Sequence, residues 1–111
     1  MMSEGVLSFD EFKKMDLRVA EVVKVDAHPN ADKLYVIQID IGGETRQTVA
    51  GLKGHYTPEE LVGKRVAAVC NLAPAMLRGE RSEAMMLAAQ QGDTVVLVVP
   101  EGDVAAGSRI L

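Results

Sequence analysis

Aromatic side chains are scarce in this chain: two Phe, two Tyr and no Trp among 111 residues. The core must therefore be aliphatic, carried by Val, Ile, Leu, Met and Ala. Cysteine is reduced to Cys70, which cannot form an internal disulfide and agrees with a reducing compartment. The two histidines, His28 and His55, stand apart, and no His, Cys and carboxylate cluster has metal-ligand spacing. His28 reads as a loop residue rather than a general base. No glycine loop matches a phosphate-binding fingerprint. No apolar run approaches the roughly 20 residues that cross a bilayer. The start, MMSEGVLSFDEF, lacks the basic and long apolar regions of a signal peptide. These absences argue against an enzyme, a metal or a cofactor, and they predict a cytosolic protein without membrane contact.

Positive charge is also in short supply, at 12 Lys and Arg against 16 Asp and Glu, for a net charge of −4. A protein that coats an anionic polymer by bulk charge is thereby excluded, although a local basic site is not. The sign is unevenly spread. Residues 64–82 carry Lys64, Arg65, Arg78 and Arg81 against Glu80 alone. An anion-binding patch is to be sought there first.

What is present fits one globular domain over residues 1–111, with its core over about 9–111. Ser8 with Glu11 forms a capping box for a helix over 8–15, whose Phe9, Phe12 and Met15 would lie as a lid over one end of the core. Residues 16–27, DLRVAEVVKVDA, read as a strand with Leu17, Val19, Val23 and Val25 on one face. HPNADK at 28–33 is turn chemistry. The strand 34–41 places Tyr35, Ile37, Ile39 and Ile41 on one face; Gly42-Gly43 turns the chain into a third strand, 45–50. Thr57, Pro58, Glu60 and Gly63 mark the start and stop of a short helix. A fourth strand follows at 65–72 and a fifth at 84–89, with a loop, APAMLRGERSE, at 73–83 between them; the apolar VVLVV at 95–99 follows before the terminal segment. Three strands, a short helix and two strands are the element order of the OB-fold, an all-β five-stranded Greek-key barrel, here with extra N- and C-terminal segments. An SH3-like barrel or small sandwich would not need the helix after strand three.

Four stretches resemble the tRNA-binding domain family: DLRVAEV at 16–22, HPNADKLYV at 28–36, RQTVAGL at 46–52 and NLAPAMLRGERSEAMMLAA at 71–89. They stand in the family's order and spacing, from about Phe9 to the C-terminus. The resemblance is to the free-standing, structure-specific tRNA-binding proteins and to the C-terminal domain or beta subunit of methionyl-tRNA synthetase. It implies non-catalytic binding of tRNA, and an aminoacyl-tRNA synthetase as a possible partner. A sister branch, a dimeric peptide-binding export chaperone, is the alternative. By this resemblance Lys33, Arg78, Ser82 and Met85 match positions of the family's tRNA site. Ala84 stands where the family usually has Gly, and is expected to tighten the approach of backbone to RNA.

The residues themselves support a cationic site. In an OB barrel the loops 28–33 and 73–83 rise on the same side, so Asn30 and Lys33 would converge with Arg78, Arg81 and Ser82. Each has a plainer reading: Lys33 paired with Asp32, Ser82 capping a turn, Asn30 shaping one, Met85 in the core. Arg18 and Arg46 could extend the basic face; Lys53, Lys64 and Arg65 are weaker candidates. With only Tyr56 expected to be free, base-by-base stacking is disfavoured, and overall tRNA shape is the expected target. Finally, AMMLAA and VVLVV are apolar at consecutive positions, so both faces of those strands want burial. A homodimer through the C-terminal segments would supply the second cover.

Overall fold

The computed structural model describes residues 5–111. Two local signals set the helices. Ser8 Oγ accepts from the Glu11 N–H while Glu11 bonds back to the Ser8 N–H, which starts α1 (Phe9–Lys13). Thr57 and Glu60 form the same reciprocal pair, with Pro58 at the first position of α2 (Pro58–Leu61).

The strands are β1 (Leu17–Ala27), β2 (Tyr35–Asp40), β3 (Thr45–Ala50), β4 (Arg65–Val69), β5 (Ala75–Leu77), β6 (Glu80–Ser82), β7 (Met85–Met86), β8 (Ala88–Gln91) and β9 (Thr94–Leu97). Five of them form one antiparallel sheet in the order β3-β2-β1-β4-β7. The sheet curls until β3 meets the segment entering β7. There the Glu83 N–H donates to Gln47 O at 2.8 Å and Thr48 Oγ1 donates to Ala84 O at 2.8 Å. Those bonds nearly close a barrel, with α2 between strands three and four. This is the OB-fold expected from the element order.

Alternation explains the interior. Tyr35, Ile37 and Ile39 of β2, with Ile41 just after it, meet Ala20, Val22, Leu61, Val66, Ala68, Met86 and Leu97 in one largely aliphatic cluster. Leu61 is fully buried, which ties α2 to the barrel. Tyr35 Oη donates to Tyr56 O, and Tyr56 Oη in turn accepts from the Leu97 N–H. Tyr56 is therefore half-buried and engaged, not free.

β1 departs from simple alternation. A bulge between Val22 and Lys24 leaves Val23 unpaired opposite β2 and exposed. Inward positions run Ala20, Val22, then Val25, so Val23 does not share a face with Val25 as the unbroken pattern suggests. The bulge is held by α2's exit: the Gly63 N–H donates to Val22 O and the Val22 N–H to Lys64 O. Leu17 and Val19 are buried on the opposite face. Before Glu21 the edge of β1 is free of β2, and residues 107–110 take its place. Val19 donates to Ser108 O, Gly107 to Val19 O and Ile110 to Leu17 O. This return passes so close to the β2–β3 turn that a Cβ on Gly107 would stand 2.6 Å from Gly42 Cα.

Three further expectations change. Phe9, Phe12 and Met15 do not lid the core; all are exposed, and they line a surface hollow with Leu17, Ile110 and Leu111. The strand expected over 84–89 is broken after Met86. Leu87 donates to Ala67 O, Ala67 to Val98 O and Val98 to Leu87 O. The chain then leaves the barrel as the β8–β9 hairpin, with Gln91 opposite Thr94. The loop 73–83 is likewise no plain loop but the β5–β6 hairpin.

Candidate nucleic-acid interface

The β5–β6 hairpin turns through Arg78 and Gly79, which lie between the paired residues Leu77 and Glu80. Both turn residues have positive φ, +55° at Arg78 and +90° at Gly79. That is the pattern of a type I′ turn, for which Asn-Gly is the favoured pair. Arg78 is the only non-glycine residue with positive φ among the described residues. A bulky side chain in this region costs about 1–2 kcal/mol. The fold gains no visible contact in return: Arg78 is exposed and makes no ion pair or side-chain hydrogen bond among the described residues.

Side-chain bonds to β3 hold the hairpin in place. Gln47 Nε2 donates to Arg81 O at 2.8 Å, and Ser82 Oγ accepts from the Val49 N–H at 3.1 Å. Ser82 also donates to Ala84 O at 3.3 Å, so its hydroxyl is committed to the fold. Arg81 lies 3.4 Å from Glu83, with more than half of its side chain exposed. Met85 points outward, half-exposed, while Met86 fills the core. With Val49, Leu72, Leu77 and Ser82, Met85 lines an apolar hollow beside the hairpin. Ala84 is buried and packs in the core cluster, and it also lines the hollow beside Met85.

The loop between β1 and β2 comes to the same place. His28 is buried; its Nδ1 accepts from the Asn30 N–H at 2.9 Å, and its Nε2 lies 2.9 Å from Leu77 O. One imidazole thus spans the two segments, 28–34 and 75–82. Asn30 shapes its turn through its backbone. Lys33 is exposed and does not pair with Asp32 or any other acid among the described residues.

Three of the other cations serve the fold. Arg18 grips Asp16 through Nε and Nη2 and donates Nη1 to Ile41 O. Arg46 pairs with Glu44 and donates to Cys70 O. Arg65 pairs with Glu21 and Asp103. Arg18 and Arg46 therefore do not extend a free basic face. Lys64 lies over the Tyr56 ring. The Arg18 guanidinium holds the Asp16 carboxyl below its usual range, and the Gly42 and Gly43 N–H groups do the same for Asp40. Burial pushes the Cys70 thiol up, so it is a poor nucleophile. Among the described residues no three His, Cys, Asp or Glu side chains could hold a metal. No described helix is long and apolar enough to cross a membrane.

Sequence reasoning missed His28 and Gln47 as the residues that join the loops to each other and to the barrel. Neither carries a local signal, since each acts on a backbone carbonyl more than 30 residues away.

A nearly closed five-stranded barrel with an intervening helix, crowned by two joined loops, places the molecule among the small OB-fold binding domains. Residues 17–109 match the family described as "Putative tRNA binding domain", and the chain belongs to that family. A methionine–tRNA ligase of Thermococcus kodakarensis is 53% identical over 104 residues, which cover 94% of this chain and 14% of that protein. The chain thus spans about a seventh of the length of this curated relative. Among solved structures, a MetRS-related protein from Pyrococcus horikoshii superposes with a TM-score of 0.87 at 32% identity, over 99% of this chain and 100% of that one. The CsaA chaperone protein of Picrophilus torridus gives a TM-score of 0.88 at 29% identity, over 96% of this chain and 100% of its own.

Proposed function

We propose that the chain is a non-catalytic binder of folded tRNA, with loop 28–34 and the β5–β6 hairpin acting as one cationic surface. The observation that carries this reading is the fate of the cations. Arg18, Arg46 and Arg65 are consumed by internal partners, whereas Lys33 and Arg78 have no acid partner among the described residues and lie in the two segments that the His28–Leu77 contact joins; Lys14, Lys53 and Arg109, also without acid partners, lie outside those segments. Arg78 occupies a turn position that asparagine or glycine would fill at lower cost. Phosphates are the ligand for such groups, and the outer shape of a folded RNA is the target that needs no stacked aromatic row. Arg81 and the half-exposed Met85 flank the pair; Ser82 and Asn30 hold it in place.

The unit of action is a homodimer. Val96, Val98 and Val99 on and after β9 are exposed apolar side chains on either side of the buried Leu97. A second copy is the simplest cover for them, and two sites on one tRNA would add avidity. Light scattering at micromolar concentration should give the mass of two chains. A synthetase-bound role, with this chain delivering tRNA to a methionyl-tRNA synthetase, is compatible and is tested by pull-down from cell extract.

The likeness to the CsaA chaperone favours one second reading, a peptide-binding chaperone. A tRNA titration of wild type and Arg78→Ala at two salt concentrations separates them. The tRNA reading expects wild-type binding that weakens steeply with salt and is weakened further by the substitution. Salt-insensitive binding, with strong capture of an unfolded polypeptide in a parallel fluorescence assay, would replace it.

A further inference from the structure

We propose that His28 is a positioning residue of the RNA surface: a neutral imidazole, protonated at Nε2, that latches loop 28–34 to the β5–β6 hairpin and sets the spacing of Lys33 and Arg78. This rests on the tRNA reading above.

The protonation state follows from the partners. The Asn30 backbone N–H can only donate, so Nδ1, 2.9 Å away, must be the unprotonated acceptor. The proton of a neutral ring then sits on Nε2, where it donates to Leu77 O at 2.9 Å. Both nitrogens are satisfied, and His28 as a whole is 6% exposed, so water offers it no easy substitute. The His28 N–H also donates to Leu34 O at 3.1 Å, which closes its own loop.

The latch has no duplicate. Among the described residues it is the only hydrogen bond between loop 28–34 and residues 73–83. The hairpin's other anchors, Gln47 and Ser82, act on the β6 side and reach β3, not the first loop. Leu77 immediately precedes Arg78, so the bond fixes the backbone next to the free guanidinium. Lys33 lies in the loop that the same histidine closes. Two cations that must meet phosphates of one rigid RNA gain most when their separation is set beforehand.

Two substitutions divide the ring's functions. His28→Asn can still accept from the Asn30 N–H through Oδ1 but cannot reach Leu77. His28→Gln can donate to Leu77 O through its Nε2. In tRNA titrations at fixed low salt we expect His28→Asn to bind about tenfold more weakly, as for one lost charge-assisted contact. His28→Gln should bind within about threefold of wild type. His28→Asn/Arg78→Ala should bind no more weakly than Arg78→Ala, because the latch acts through Arg78. Wild-type affinity in His28→Asn, or losses that multiply in the double variant, would overturn the proposal. If Lys33→Ala and Arg78→Ala both bind like wild type, the tRNA surface itself is misplaced and the latch falls with it. The wild-type protein gives an independent reading. Its imidazole ¹⁵N spectrum should show a protonated Nε2 and an unprotonated Nδ1, and the opposite tautomer would sink the latch even where a variant fails to fold.

Discussion

Replacing Arg78 with asparagine should make this protein more stable and a poorer ligand for RNA at the same time. The stability gain comes from the backbone. Arg78 sits at φ +55° ahead of Gly79 at +90°, and asparagine tolerates the left-handed region far better than arginine does. Recovering half of a cost of about 1–2 kcal/mol gives roughly 0.5–1 kcal/mol. For a domain of this size that is a rise in Tm of about 2–5 °C. No contact is lost in exchange, because the guanidinium has no internal partner among the described residues. Binding should move the other way. Losing one phosphate contact weakens affinity about tenfold and makes the dependence of log K on log salt shallower by about one. Calorimetry and anisotropy titrations with bulk tRNA at about 50 and about 200 mM salt read both effects. Arg78→Lys is the control: it keeps the charge and the backbone cost, so Tm should hold and most of the affinity should remain. A lower Tm for Arg78→Asn would refute the strain argument, and undiminished tRNA binding would remove Arg78 from the surface.

Other consequences follow from the fold. Gly107→Ala would place a Cβ 2.6 Å from Gly42 Cα at a φ of +91°; urea denaturation should show a loss of about 3 kcal/mol, and a neutral result would mean that the C-terminal return is not packed as described. Cys70 is 2% exposed and its thiol is raised by burial, so iodoacetamide should label it only after unfolding; rapid labelling of the native protein would contradict this. Asp16 is held below its usual value by Arg18. Its contribution to stability is complete above the unfolded value, near 3.8, and disappears as pH falls through the lower folded value. Asp16→Asn should therefore lose stability at neutral pH and show a shallower decline across the acid range in denaturant titrations; an unchanged pH profile would refute the coupling.

Local chemistry was readable in the residues, and long-range chemistry was not. The Ser8–Glu11 capping box, the Thr57-Pro58 helix start and the inward row Tyr35, Ile37, Ile39 and Ile41 are signals confined to a few neighbouring positions, and each formed as expected. The bulge at Val23 was hidden because its cause, the Gly63 and Lys64 backbone, arrives from forty residues downstream. The hairpin in 73–83 was hidden because an arginine occupies the position where asparagine or glycine would announce a turn. The break after Met86 comes from a three-way exchange among Leu87, Ala67 and Val98 that no alternation pattern encodes. The same limit applied to the site. Lys33 and Arg78 could be nominated from charge and resemblance. That Arg18, Arg46 and Arg65 are already spent on Asp16, Glu44, Glu21 and Asp103 needed the folded chain. So did the role of His28, whose sequence setting, HPN, says only that the chain turns.

Hydrogen exchange read by mass spectrometry, with and without saturating tRNA, tests the two-loop surface most directly. Residues 28–34 and 75–82 should gain protection together and to the same RNA-concentration midpoint. Protection confined to one of them, or centred instead on Phe9–Lys14 and residues 107–111, would contradict the account.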